Sequence, residues 1–210
     1  MKLNYFLIIG FSILYSCGNQ EQGNKSNQNN EELAGYSIVN NDLKVVFTTD
    51  ISSYFDAVNK GNWDAVINMI YPKLFDLITK EQMIKSFNQL DEMGMDLKTD
   101  FNKIEKISEV INYENSKFCR VYYNARFTIK ISGVMIENKD QLGQSFIAYY
   151  GAENIKYDDT NSKFEIKAKK SMIAVSKTNS NEWSYIEYNE PEEEILKQLI
   201  PEKVLVQIIN

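Results

Sequence analysis

The feature that most restricts how this chain can fold is the run at residues 118–131. There Cys119, Val121, Tyr123, Ala125, Phe127, Ile129 and Ile131 alternate with Arg120, Tyr122, Asn124, Arg126, Thr128 and Lys130. Side chains of a strand point alternately to opposite faces, so the run reads as a long strand with one side in a core and the other in water. Such a strand needs long partners. Residues 154–158, the turn Asp159-Thr160-Asn161-Ser162 and residues 163–177 read as a hairpin, and residues 183–188 as a last strand. In the second arm Phe164, Ile166 and Ala168 alternate with Glu165, Lys167 and Lys169, and the same parity carries Lys170 inward ahead of Met172 and Ala174. Either a bulge resets the register or a lysine enters the core side. Glu165 and Glu187 are expected to face water. Residues 101–113 fit either period and are read as strand.

The preceding part has a helical period. Ile51, Tyr54, Phe55 and Val58 form one apolar face, with Asp50 as N-cap and Gly61 just past the end. Asn62 then caps a helix bearing Trp63, Val66, Ile67 and Ile70. Tyr71-Pro72 interrupts it, because the residue before proline is pushed out of the helical region. After a short helical piece at 73–78, Thr79-Lys80-Glu81-Gln82 matches a capping box, and Met83, Ile84, Phe87 and Leu90 give the next apolar face. Residues 36–47 read as a lead-in with a short strand. Residues 141–150 form a helix between strands, ending at Gly151. Pro191-Glu192-Glu193-Glu194 opens a closing helix packed by Ile195, Leu196, Leu199 and Ile200, and Pro201 starts a final segment.

At the N-terminus an apolar stretch of about thirteen residues, 3–15, follows Met1-Lys2. It fits a signal-peptide core and is short of the roughly twenty residues a spanning helix needs. Leu14-Tyr15-Ser16-Cys17 closes it and resembles a bacterial lipobox. That resemblance implies cleavage after Ser16, acylation of Cys17, and a bilayer partner through the acylated cysteine. The expected location is the bacterial cell envelope, at the outer membrane or the periplasmic face. Residues 1–16 are then a signal peptide and 17–32 a tether, whose stretch from Gly18 to Glu32 has no apolar side chain to offset its conformational entropy. Residues 33–210 are the folded domain.

Composition narrows the chemistry. The formal charge of −6 argues against a nucleic-acid partner, because phosphate binding needs a basic face. With Cys17 acylated, Cys119 is the only thiol and no internal disulfide forms, so stability rests on a core that 43% hydrophobic residues can build. Cys119 itself reads as a small core hydrophobe. The chain has no histidine, hence no Ser-His triad, no Cys-His pair and no conventional zinc site. No cofactor, metal or catalytic residue is assigned. Asp158-Asp159-Thr160-Asn161 lacks the glycine and distal glutamate of a calcium loop and reads as a hairpin turn.

Helices first, a long antiparallel sheet afterwards, and the run Tyr54-Phe55-Asp56-Ala57-Val58-Asn59-Lys60-Gly61-Asn62-Trp63-Asp64 together resemble the nuclear-transport-factor-2-like (ketosteroid-isomerase-like) superfamily. The resemblance covers about residues 50–188. It implies an α+β fold in which N-terminal helices pack on a curved antiparallel sheet as a cone, with the helix at 141–150 an addition that covers or fills the pocket mouth, and a C-terminal helix. More narrowly, Tyr71-Pro72-Lys73-Leu74-Phe75, Lys80-Glu81-Gln82-Met83 and Trp183-Ser184-Tyr185-Ile186-Glu187 resemble a group of small exported bacterial proteins of unassigned activity.

Function follows from the fold only weakly, since the superfamily hosts isomerases, dehydratases and binding domains. Trp63, Tyr71, Phe75, Tyr123, Phe127 and Trp183 are the candidate pocket-lining residues. Arg120, Arg126 and Lys130, with Lys167 and Lys169 near them, are the candidate basic face for an acidic partner. The expected function is non-catalytic binding of an apolar small molecule or an envelope protein. One alternative is an isomerase or dehydratase with an inward carboxylate base and tyrosine donors such as Tyr123. The other is an envelope inhibitor or immunity protein, which a filled pocket and a large exposed patch would favour.

Overall fold

The structure, a computed structural model, describes residues 41–189 and 193–209. The signal peptide, Cys17, the tether and the helix start at Pro191 lie outside the described residues, as does the first part of the expected lead-in strand. From residue 41 that lead-in is helical. Helix α1 spans Asn41–Asn59, so Asp50 sits in mid-helix and is not an N-cap. The reason is that Phe47 lies four residues before Ile51 and extends the buried stripe Phe47, Ile51, Phe55, Val58 by a turn. Asp50 instead accepts a hydrogen bond from the Tyr185 hydroxyl.

The chain leaves α1 through Gly61 at φ +63°, with Asn62 N–H donating to Ala57 O at 2.9 Å and Gly61 N–H to Val58 O at 3.0 Å. Asn62 Oδ1 accepts from Ala65 N–H and opens α2, Trp63–Met69. Tyr71 then leaves the helix and donates its N–H to Tyr185 O, and a 3₁₀ turn, Pro72–Asp76, follows. The Thr79–Gln82 capping box is formed in both directions and starts α3, Lys80–Glu92.

Six antiparallel strands follow: β1 Met95–Ile107, β2 Ile111–Tyr113, β3 Ser116–Ile131, β4 Ile155–Asp158, β5 Lys163–Lys177 and β6 Ser184–Glu187. The order is β1-β3-β5-β4, with β2 also on β3 and β6 also on β5. Register shifts at Phe101/Lys103 and Ile104/Lys106 bend β1 and curve the sheet. No shift interrupts β3–β5 from Ser116↔Lys177 to Lys130↔Lys163. The register is therefore not reset, and Lys170, opposite Tyr123, is on the core side.

Between β3 and β4 come α4, Val134–Glu137, and α5, Lys139–Tyr150. The chain ends in α6, Glu193–Leu199, and α7, Glu202–Ile209. The described residues thus form an α+β fold of seven helices on a curved antiparallel sheet.

Two apolar clusters hold it. On the concave face, Phe47, Ile51 and Phe55 of α1 and Leu142 and Phe146 of α5 meet Val121, Tyr123, Phe127 and Ile166. The other cluster wraps the β6 edge of the sheet. There α2 and the 3₁₀ turn join α6 and α7 over Phe118, Ile173, Val175 and Ile186, the opposite parity of the same strands. The second half of β5 is consequently buried on both faces, while its first half alternates as the sequence does.

Candidate functional site

The most chemically distinctive group lies on the concave side where β5 meets β6. Lys170 Nζ is 2.8 Å from Glu187 Oε1, with side chains 3% and 6% exposed. Lys170 also donates to Asn189 Oδ1 at 3.1 Å, which accepts in turn from the Tyr149 hydroxyl at 2.8 Å. The expectation that Glu187 faces water is corrected: with Tyr185 facing α1 through Asp50, the period of β6 puts Glu187 on the same inner face, and Lys170 supplies the countercharge.

Charges and phenols here perturb one another. Burial lowers the pKa of the Lys170 ammonium, but Glu187, Tyr150 and Tyr149 more than offset this and hold it above its ordinary value. Burial and then the Glu187 carboxylate push the Tyr123 and Tyr54 phenols up, and Tyr123 lies within hydrogen-bonding reach of Glu187. A carboxylate, a phenol and an ammonium in this arrangement are the donor set of proton-transfer chemistry. Beside Glu187 space is lacking, although Tyr123, Tyr150, Lys170 and Asn189 also border a wider open depression. The cavity beside Glu187, lined also by Tyr54, Met69, Leu74, Met172 and Tyr185, measures about 20 Å³, room for one water.

The candidate pocket residues are divided between the two clusters. Tyr123, Phe127 and Trp183 belong to the concave one. Tyr123 touches the Glu187 group, Phe127 packs on Tyr150 at 6.3 Å, and Trp183 packs edge-on against Phe47 at 5.1 Å. Trp63, Tyr71 and Phe75 belong to the edge cluster. Trp63 stacks on Phe87 at 4.4 Å and donates to Asn88 Oδ1, while Phe75 carries Lys80 over its ring. None of these three borders the small cavity. α5 fills the concave face over β4 and β5, with Phe146 against Phe164 at 5.0 Å, and sets Tyr149 and Tyr150 beside Lys170.

On the convex face the strands bring Arg126 opposite Lys167 and Asn124 opposite Lys169, with Lys130 nearer the hairpin turn. Arg126, Lys130, Lys167 and Lys169 are exposed. Arg120 differs: it is half-buried, its guanidinium 3.8 Å from the Tyr188 ring centre and 4.6 Å from that of Tyr122, donating to Ser171 Oγ and Ile209 O. The C-terminal helices cover that end of the sheet.

Cys119 is fully buried on the inner face, and burial pushes its thiol up to about 12, which makes it a poor nucleophile. Asp158 Oδ1 accepts from the N–H groups of Thr160 and Asn161, and Asn161 Nδ2 donates to Oδ2, so the acidic turn satisfies itself. Among the described residues no cluster of acidic residues or cysteine is grouped as a metal site, and no helix is long and apolar enough to cross a membrane.

No protein-family model matches the chain, and no curated protein is similar to it. Among solved structures, a protein of Streptomyces avermitilis described as a proposed dehydratase of the NTF2-like family matches over 69% of this chain and 92% of its own. The identity is 8% and the TM-score 0.35.

Proposed function

We propose that this chain is a membrane-anchored envelope lipoprotein whose folded domain acts by binding a protein partner and performs no catalysis. The observation that carries the binding half is the closed surroundings of Glu187: the cavity beside it measures about 20 Å³, against the 300 Å³ or more typical of small-molecule sites, and Tyr123 and Lys170, which border a wider open depression, are themselves buried. An isomerase or dehydratase needs its carboxylate and phenols in contact with a substrate, and here Glu187 and Tyr54 border only that small cavity while Tyr123 is 1% exposed. The same group fits a structural role, in which Lys170 and Glu187 neutralise each other under α5. An envelope inhibitor or immunity protein is one form of this reading, since such a protein works through its outside. The anchoring half rests on the lipobox-like Leu14-Tyr15-Ser16-Cys17.

Two measurements test the halves separately. Native mass spectrometry of the chain purified from its host is expected to give no retained small molecule; a stoichiometric apolar ligand would overturn the filled-cone reading. Metabolic labelling with an alkyne fatty acid is expected to mark the wild type and not Cys17→Ala, which should stay folded and leave the membrane fraction. Equal labelling of the two would remove the anchor.

A further inference from the structure

The convex face of the sheet carries arginine and lysine side chains that make no ion pair among the described residues, although Asp100 and Asp96 stand opposite Arg126 and Lys130 across β1 and β3. Lys98, Lys103 and Lys163 are paired with Asp96, Glu105 and Glu165. Among the described residues Arg126, Lys130, Lys167 and Lys169 make no ion pair, although the chain as a whole carries a charge of −6. The area is bounded. α6 and α7 cover the sheet as far as Arg120, and α5 and the 3₁₀ turn Ala152–Asn154 pack against β5. An open depression of about 1180 Å³ has Lys106, Lys167 and Lys169 from the sheet and Tyr149 from α5 in its lining; of its two carboxylates, Glu105 is held by Lys103 and Asn124 and Glu153 by Asn154, and Arg126 and Lys130 lie outside it.

We propose that this depression binds an acidic, extended segment of a partner protein, an inference that rests on the protein-binding reading above and names its surface. Three observations select that occupant. The exposed cations of the depression, Lys106 on β1 and Lys167 and Lys169 on β5, stand about 9.6 Å or more apart across the intervening β3 and about 6.8 Å apart along β5, and do not converge on a point as they would around a single phosphate. An extended acidic chain repeats its same-face carboxylates at the second of these spacings. The lysines line a depression in that face, so a bilayer, which is flat on this scale, cannot reach them together. Rings that would stack a sugar already carry cations, Tyr122 those of Lys106 and Arg120, Tyr188 that of Arg120 and Tyr149 that of Lys170.

The test is fluorescence anisotropy of the full-length chain in detergent with a labelled oligo-glutamate peptide, and with oligo-glutamine of the same length as control. The glutamate peptide is expected to bind, to weaken as salt rises, and to lose roughly tenfold or more in affinity in the Lys167→Glu/Lys169→Glu variant. Lys85→Glu, an exposed lysine on α3, should change nothing. Full-affinity binding by the double variant, absence of salt dependence in the wild type, or no binding of oligo-glutamate would each overturn the proposal. So would tighter binding to alginate, or flotation of Cys17→Ala chains with phosphatidylglycerol vesicles that the same reversal abolishes. None of these results touches the filled cone, which native mass spectrometry reads independently.

Discussion

On the concave side of the sheet, Lys170 is 3% exposed and held between Glu187 and Asn189; on the convex side Lys169, one residue earlier on the same strand, is exposed and makes no ion pair among the described residues. The residue types are identical and the neighbours in sequence nearly so. What separates them is the two-residue period of β5, which turns one ammonium into a low-dielectric interior and the other into water. A buried charge is tolerated only with a partner, so the inner lysine requires Glu187. Its solvated neighbour requires nothing from the fold and is available to a ligand. The inner region is therefore read as support and the outer one as contact surface.

The sharpest way to break the comparison is to remove one member of the inner pair. Lys170→Met leaves Glu187 buried and uncompensated, and should cost about 3 to 5 kcal/mol in urea unfolding. Lys170→Met/Glu187→Leu should recover most of that loss, because two apolar groups of similar volume need no countercharge. A single variant as stable as wild type would mean the two charges are not interdependent.

Alkaline pH probes the same interior without mutation. The Cys119 thiol, pushed up to about 12 by burial against a lowering effect of Lys117, stays protonated in the folded chain while an unfolded thiol ionises near pH 8.5. The unfolded state then binds fewer protons, so stability falls as pH rises, by about 1.4 kcal/mol per pH unit. Above about pH 10 the raised phenols of Tyr54, Tyr123, Tyr150 and Tyr185 and the raised Lys170 add to the slope in the same direction. Denaturation midpoints from pH 8 to 11 check this. Cys119→Ala should flatten the part below pH 10 whatever it does to the absolute midpoint.

Much of the inner region was legible in the sequence, and the parts that were not have identifiable causes. Strict alternation at 118–131 and 163–169 predicted the two long strands, and the parity of Lys170 already posed the question of a buried lysine. Gly61 and the Thr79 box predicted helix boundaries because each depends on local backbone geometry. The start of α1 was missed although Phe47 continues the period of Ile51, because Asp50 is also a good cap in isolation. Glu187 was assigned to water because a carboxylate is buried only when something distant pairs with it; the available signal was the unmatched inner Lys170. Arg120 was grouped with Arg126 and Lys130 by strand parity, which is right about the face and blind to the C-terminal helices that cover one end of it. In the second half of β5 both parities are apolar or small, and that loss of alternation was the trace of those helices.

A smaller effect is expected where the two faces meet, at the sheet edge formed by β1. The side-chain amide of Asn59 donates to Thr99 O at 2.7 Å and accepts from Thr99 N–H at 2.8 Å, taking the place of a neighbouring strand. Asn59→Ala should leave both groups of the buried Thr99 unpaired and cost about 1 to 3 kcal/mol. Hydrogen exchange of the Thr99 amide should accelerate. Unchanged exchange would show that the amide is protected by something other than Asn59, and that this edge needs no side-chain closure.

The smallest stability effect sharpens the comparison most. Lys169→Gln removes a charge next to Lys170 in sequence, yet it should shift stability by no more than about 0.5 kcal/mol, as expected for an exposed site without partners. Binding of the acidic peptide should weaken a few fold. Lys170→Gln should do the reverse, lowering stability by several kcal/mol while leaving peptide affinity of the still-folded fraction unchanged, since its side chain, though at the border of the depression, is only 3% exposed and paired with Glu187. A Lys169→Gln chain that lost stability like the Lys170 variant would mean that the convex face is covered in the native protein, and the contact-surface reading would have to yield to a structural one.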